Sequence, residues 1–337
     1  MKNYLLPKNG NFYKANLHCH TTVSDGREPP ECVKEIYKSM GYQIVAFTDH
    51  EILVPHNDLT DETFLALHGL EVEVSEGEGP GAKKCHLCFI SPTADVPNQP
   101  CVHREKYLIG NCKENLRFVK FDHTEPDYER TYSPECINNI VEKFKEKGFF
   151  ATYNHPGWNL ENYNDYVKYE GFDAVEIANG GCIAYGFDDL DLKVYQELLF
   201  AGKKLFATGA DDNHNRYVRN SRRYDSGIAY TVIKAESLDY DTVFKALKNG
   251  HFYTSQGPEI YEFYVDGNKV FISCSGADRI NCNYGIRKAE TVVSEGDVPV
   301  YTADFNVPDN CEFFRITIID KQGRMACTNA CFVEDLK

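Results

Sequence analysis

Short apolar runs alternate with amphipathic stretches along most of the chain, and several of the runs end on, or are interrupted by, a histidine or a carboxylate. Asn11 to Leu17 reads as a strand and runs into His18-Cys19-His20. Ile44 to Thr48 leads into Asp49-His50, and Phe64 to Leu70, with a polar break at His68, leads into Glu71. Lys84 to Ile90 carries His86 inside a strand. Phe149 to Tyr153 delivers Asn154-His155-Pro156, and Leu205 to Gly209 delivers Asp211-Asp212-Asn213-His214. Between these runs lie helical patterns: Pro29-Pro30-Glu31 to Met40, Ser133-Pro134-Glu135 to Lys147, Leu190 to Ala201 and Tyr240 to Asn249, each followed by glycine. Proline near the start and glycine past the end are ordinary helix boundaries. Strand alternating with helix predicts an α/β fold with a mostly parallel sheet or barrel.

Two stretches depart from this rhythm. Ser91 to Tyr132 is polar and contains proline, and reads as an inserted excursion or lid. After Gly257-Pro258 come short alternating segments: Glu259 to Val265, Val270 to Cys274, Arg279 to Tyr284, Val298 to Phe305, Phe313 to Ile319 and Met325 to Val333. These predict roughly 80 residues of antiparallel β-sandwich. The expected division is a hydrolase domain over 1–256 and a small β-sandwich domain over 257–337, the latter either a structural or oligomerising appendage or a carbohydrate- or partner-binding module. Oligomeric state is not legible in the sequence.

Composition narrows the class. The chain has 337 residues, enough for one large domain and a small one. Its first residues lack the apolar core of a signal peptide, and no stretch offers about 18 uninterrupted apolar residues, so a cytoplasmic protein without a membrane partner is expected. Thirteen cysteines, an odd number in a chain of this size, fit free thiols in a reducing compartment. A net charge of −15 argues against a long nucleic acid gripped over a broad surface, which needs a basic footprint. A small phosphorylated substrate remains compatible, because three divalent ions set against three carboxylates leave a locally positive cleft.

The candidate chemistry lies at the polar interruptions. Side chains two apart on an extended segment share a side, so His18 and His20 can grip one ion while Cys19 points away. In parallel α/β barrels catalytic residues gather at the C-terminal ends of strands, where most of these candidates fall. Imidazole and carboxylate together suit zinc, manganese or iron, and ions about 3.5–4 Å apart can share an activated water or hydroxide. Cys85-His86-Leu87-Cys88 contains a C-x-x-C spacing, but on a strand its two thiols face opposite ways. His56, His68, His103, His123 and His251 match no motif and read as structural.

The run His18-Cys19-His20-Thr21-Thr22-Val23-Ser24-Asp25-Gly26, then Thr48-Asp49-His50, Gly69-Leu70-Glu71, His86, Asn154-His155-Pro156 and Asp212-Asn213-His214 resembles the polymerase and histidinol phosphatase (PHP) superfamily over about residues 11–256. The resemblance implies a distorted seven-stranded (β/α) barrel with two or three divalent ions and phosphoester hydrolysis. Carried over by position, His18, His20, Glu71 and Asp212 hold a first ion, Glu71 bridges to a second completed by His86 and His155, and Asp25, His50 and His214 hold a third. Aspartate at position 25 stands where many relatives have histidine. Asp211 is expected beside the metals as a hydrogen-bond partner, and Glu73 is a fallback ligand.

The expected activity is hydrolysis of a small phosphomonoester or nucleotide through a metal-bound hydroxide, with Glu71, His20 and Asp212 acting through that water. Alternatives are a phosphodiesterase or exonuclease on short oligonucleotides, and a non-catalytic metal-binding scaffold whose β-domain takes a carbohydrate or protein. Arg216, Arg219, Arg222 and Arg223 cluster in the loop after His214, and Arg222 and Arg223 are the expected substrate contacts. Lys83 and Lys84 are weaker candidates.

Overall fold

A computed structural model describes residues 2–188 and 190–336. Its central feature is a long mixed sheet. From the middle outward on one side run Asn11–Asn16, Ile44–Phe47 and Leu65–Ser75, all parallel, then Lys84–Ile90, which is antiparallel to both its neighbours, then Phe150–Tyr153, Ala174–Asn179 and Phe206–Ala210, again parallel. On the other side Asn11–Asn16 pairs antiparallel with Tyr230–Ala235, and that strand with Phe252–Ser255. The expected α/β class is present. Among the described residues the named strands do not form one closed ladder, so the structure gives the α/β class without a closed form of the expected distorted (β/α)7 barrel. Where closure would occur, side chains replace ladder bonds: Gly209 N–H donates to Thr231 Oγ1, Thr254 Oγ1 to the Ala207 carbonyl, and Asp211 N–H to Asn16 Oδ1. A single isolated bridge joins Cys19 to Asn213.

The helices form close to their predicted limits, at Pro30–Ser39, Pro134–Glu146, Leu192–Phe200 and Tyr240–Lys248. Ser133 caps the second by accepting from Cys136 N–H, and Asp239 caps the last by accepting from Thr242 N–H. Each turns an apolar stripe inward: Val33 and Tyr37, or Ile137, Ile140, Val141 and Phe144, are fully buried. Three central strands escape the sequence pattern: Ala174–Asn179, Tyr230–Ala235 and Phe252–Ser255. The strand expected to stop at Leu70 continues to Ser75, so Glu71 lies within it.

The C-terminal segment forms two antiparallel sheets over a shared core. Asn3–Tyr4, Ile260–Asp266, Lys269–Ala277 and Val300–Asn306 make one. Ala289–Val293, Arg279–Tyr284, Phe313–Ile319 and Met325–Thr328 make the other, which joins the central sheet through the pairing of Tyr253 with Thr328. Alternation is clean, with Val270, Ile272 and Cys274 facing Ile280, Cys282 and Ile316 in one apolar cluster. Among the described residues no helix is long and apolar enough to cross a membrane.

The 91–132 segment contains only a short helix, Cys112–Asn115, and a 3-10 turn, Leu116–Phe118, among its regular elements. It is fastened to the loops after the first two strands of the barrel-like half. Asn111 N–H and Nδ2 donate to the Ser24 and Thr22 carbonyls, Asn115 Nδ2 to the Val23 carbonyl, and Cys112 Sγ to the His50 carbonyl. Gly110, at φ +59°, presses so close that a Cβ there would stand 2.2 Å from the Ser24 carbonyl oxygen. Gly110→Ala is therefore expected to lower stability by about 1–3 kcal/mol, read as a fall in the thermal unfolding midpoint of the purified chain.

Candidate metal centre

All nine predicted ligands converge at one end of the sheet. His18 and His20 follow Asn11–Asn16, His50 follows Ile44–Phe47, His155 follows Phe150–Tyr153, and Asp212 and His214 follow Phe206–Ala210. His86 sits early in Lys84–Ile90, but that strand runs the other way, so its start lies at the same end as its neighbours' finishes. Glu71 is at the centre. Its Oε1 lies 2.8 Å from His86 Nδ1, 3.2 Å from His155 Nε2 and 3.2 Å from His18 Nε2. Its Oε2 lies 3.1 Å from His50 Nδ1 and 3.3 Å from His20 Nε2.

Ligand atoms fall into adjoining groups small enough for single ions: His18, His20 and Asp212; Glu71, His86 and His155; and His20, Asp25, His50 and His214. Asp212 Oδ1 is 3.0 Å from His20 Nε2 and 3.3 Å from His18 Nε2, and Asp25 Oδ1 is 3.2 Å from His214 Nε2. Six members are buried, while Asp25, Asp212 and His214 are partly open to the cleft. The residues fit divalent ions on two observations. Two buried nitrogens of the set, His20 Nδ1 and His155 Nδ1, have no hydrogen-bond partner, where buried polar atoms ordinarily have one, and His50 Nδ1 and Asp25 Oδ1 lie near Glu71 and His214 without hydrogen-bond geometry. The Nε2 atoms of His18 and His20 also face each other at 3.1 Å with Asp212 Oδ1 within 3.3 Å of both, so three ligand-type atoms crowd one point.

Electrostatics point the same way. Burial disfavours charge on His20, yet the hydrogen bonds and negative charge of Asp212 and Glu71 raise it to about 10. Against the same burial, Glu71 and Glu73 raise His86 to about 9. Burial and the neighbouring His20 push His50 down to about 3. Burial alone would raise the carboxyls of Asp25, Glu71 and Asp212, but the surrounding imidazoles hold all three below the usual carboxylate range. The three carboxylates thus stay anionic in a buried cluster, which calls for positive charge at its centre.

An outer layer fixes the geometry. Asp49, beside His50, accepts from Thr21 N–H at 2.8 Å and from Ser24 N–H and Oγ at 3.0 and 2.6 Å, which shapes the turn presenting Asp25. Glu176 is buried, 3.3 Å from His18 Nδ1, and accepts from His155 N–H at 3.1 Å. It was missed in the sequence, although a lone carboxylate in the apolar run Ala174–Asn179 is the available signal. Asp211 turns away from the ligands and accepts from Gly227, Ile228 and Ala229 N–H and from Tyr37 OH. Its hydrogen bonds anchor the loop instead of touching a ligand side chain. His155 and Asp212 hold positive φ, +26° and +49°, and so does Glu51 beside His50, at +64°. Strained backbone of this kind persists where its surroundings over-determine it.

Solved structures similar to the chain include three that are each under 20% identical to it. A two-domain protein from Bacteroides vulgatus containing a predicted PHP-like metal-dependent phosphoesterase is 14% identical, with 97% of this chain and 96% of that one covered at a TM-score of 0.48. A candidate metal-dependent phosphoesterase from Bifidobacterium adolescentis is 17% identical, covering 72% of this chain and 98% of its own at a TM-score of 0.39. An amidohydrolase from Chromobacterium violaceum, with bound sulfate and no metal, is 15% identical, covering 59% and 87% at a TM-score of 0.38. No family model matches the chain, and no curated protein matches it.

Above the cluster opens a cavity of about 490 Å³. Ligand residues form its floor, Lys84 and Arg216 supply positive charge, and Ile109, Trp158, Tyr185 and Phe187 supply apolar wall. Arg216 reaches Asp25 Oδ2 at 2.8 Å. The predicted contacts Arg222 and Arg223 are exposed and lie outside the lining, with Arg223 against Tyr217 OH at 3.2 Å. Arg216 is two residues past His214, while at positions 222 and 223 the loop is exposed. Of the unmatched histidines, His68 binds Asn57 Oδ1 at 2.8 Å and His103 lies 3.3 Å from Glu129, both remote from the ligands. His20→Ala is expected to lower bound zinc or manganese in elemental analysis and to narrow the gap in melting temperature between metal-loaded and chelated protein. Full metal content in that variant would exclude His20 as a ligand.

Proposed function

We propose that this chain is a PHP-type metal-dependent phosphoesterase acting on a small phosphomonoester, with its ligand ring arranged as at the mouth of a distorted barrel. The observation that carries the reading is one buried carboxylate, Glu71, touching five imidazoles beneath a cavity that also holds two cationic side chains. In this reading His18, His20 and Asp212 with Glu71 hold a first ion, Glu71, His86 and His155 a second, and Asp25, His50 and His214 a third. When bound, zinc, manganese or iron ions supply Lewis-acid polarisation of the phosphoryl oxygens and lower the pKa of water to near neutrality.

The chain's own residues do the rest. Glu71 and Asp212, kept ionised by the surrounding imidazoles, hold the cationic cluster together in a buried site. Asn154 Nδ2 and Glu176 Oε1 face the outer nitrogen of His18, Nδ1, at 2.7 and 3.3 Å and so turn Nε2 toward the other ligands. Arg216, steadied by Asp25, and Lys84 flank the cavity and attract the phosphoryl group in an otherwise acidic protein. Trp158, Tyr185 and Phe187 exclude water from one side and receive the alcohol portion of the ester. A cavity of this size accommodates a small ester and leaves no channel for a long nucleic acid.

Chelation should abolish phosphate release from a panel of phosphomonoesters, and manganese or zinc should restore it. Stoichiometric metal without turnover on phosphomonoesters, phosphodiesters and carboxylic esters would instead favour the scaffold reading. On a substrate that is turned over, Arg216→Ala is expected to raise KM about 10-fold or more, while the Arg222→Ala/Arg223→Ala double variant leaves it unchanged. The reverse result would return the substrate contact to the outer arginines.

A further inference from the structure

Glu73 lies two residues beyond Glu71 on the same strand, so both carboxylates project to one side. Directly across the antiparallel pair stands His86, in register with Glu73, and Lys84 is two residues before it. One oxygen, Glu73 Oε2, meets both partners: His86 Nε2 at 3.0 Å and Lys84 Nζ at 2.6 Å. The other ring nitrogen of His86, Nδ1, faces Glu71 at 2.8 Å. His86 is therefore clamped between two carboxylates, one inside the ligand cluster and one behind it. An ammonium group 2.6 Å from the oxygen of Glu73 would repel a divalent ion at that oxygen, and Glu73 belongs to none of the groups that can hold an ion.

The clamp is itself held from behind. Glu73 N–H donates to Glu51 Oε1 at 3.0 Å, and its carbonyl accepts from Arg130 at 2.8 Å. Arg130 closes the arrangement with a two-point ion pair to Glu51, at 2.8 and 2.6 Å, in which both side chains are under 5% exposed. Paired planar groups of this kind fix orientation as well as charge. Lys84, on the other side, lines the cavity with its ammonium 5.8 Å from the ring centre of Trp158, whose indole meets His86 edge-on at 5.0 Å and His155 at 5.2 Å. Trp158 is the only tryptophan in the chain.

We propose that Glu73 is a positioning residue that turns Nδ1 of His86 toward Glu71 and holds Lys84 on the cavity wall, so that one carboxylate sets both the affinity for an ion at Glu71, His86 and His155 and the placement of a cation for the substrate anion. This rests on the reading of that group as a metal site. Glu73 is not a ligand in this arrangement, in contrast to its role as a fallback ligand in the sequence.

The test uses the full chain, stripped of metal and titrated with zinc or manganese, with Trp158 fluorescence and elemental analysis as readouts and inorganic phosphate as the anion probe. Glu73→Gln keeps the shape and removes the charge, and should weaken binding of one ion about 10- to 100-fold without changing the affinity of the others. Lys84→Met should leave metal affinity intact and weaken phosphate binding to the loaded protein. Unchanged metal affinity in Glu73→Gln, or unchanged phosphate affinity in Lys84→Met, overturns the proposal. A crystal structure of the unmodified chain soaked in zinc decides the same point if the variant does not fold: a Glu73 oxygen about 2.0–2.2 Å from an ion makes it a ligand and overturns the positioning role, whereas His86 bound through Nδ1 with Glu73 on Nε2 supports it. Failure of the unmodified chain to bind zinc or manganese at all would sink the underlying metal-site reading, an outcome distinct from these.

Discussion

A carboxylate with almost no solvent contact sits at the middle of this fold, and the surrounding architecture answers to its charge. Glu71 lies on the longest strand and is 1% exposed. Removing an ionised carboxylate from water costs several kcal/mol even after relaxation, and only close, well-directed partners offset it. Five imidazoles between 2.8 and 3.3 Å supply that compensation, and they come from four separate segments of the chain. The sheet order, the reversal at Lys84–Ile90 and the strand-end loops together bring those segments to one point. Ions between the same groups would satisfy the charge better than protons do, since several donors of one sign can then share each positive centre.

Keeping so many like and unlike charges at fixed positions requires a second layer that carries no ligand function. Asp49 shapes the turn before Asp25, Glu176 faces His18, Asp211 anchors the loop after Phe206–Ala210, and Asp225 accepts from His214 and Asn215 N–H. These carboxylates bind backbone donors or the outer edge of an imidazole, so they restrain without competing for the centre. Positive φ at Glu51, His155 and Asp212 shows where the backbone yields to the ligand geometry. Each such residue costs on the order of 1–3 kcal/mol, and each is followed or preceded by a dense set of hydrogen bonds that offsets it.

The 91–132 segment and the C-terminal sheets play different parts. The former contributes Ile109 to the cavity and Arg130 to the buried pair behind Glu73, so it is a wall and a brace for the site. The latter extends the central sheet from the side away from the ligands, and its apolar cluster merges with residues of the first strands, including Cys19 and Val45. That continuity ties the strand carrying His18 and His20 to a large core, which stiffens it.

What the sequence determined by itself is the part governed by short-range geometry. Residues two apart on an extended chain must share a side, so His18 with His20 was legible as a pair, and proline and glycine marked four helices to within about two residues. The alternating strands of the C-terminal region were legible for the same reason, except Ala289–Val293, a short edge strand none of whose residues is buried. Tertiary structure decided the rest. Nothing periodic distinguishes Arg216 from Arg222 in an irregular loop, and only the fold brings Arg216 to Asp25, 191 positions away. Neither Glu176, the one acid of its strand, nor Glu73, the second acid of its own, shows its partners in the sequence, yet one comes to face His18 and the other a histidine and a lysine, because strand order and register choose their neighbours. The His18–His20 motif is local because two side chains on one extended segment share a side. Its environment is not, because burial and charge compensation depend on which distant segments the sheet brings beside it.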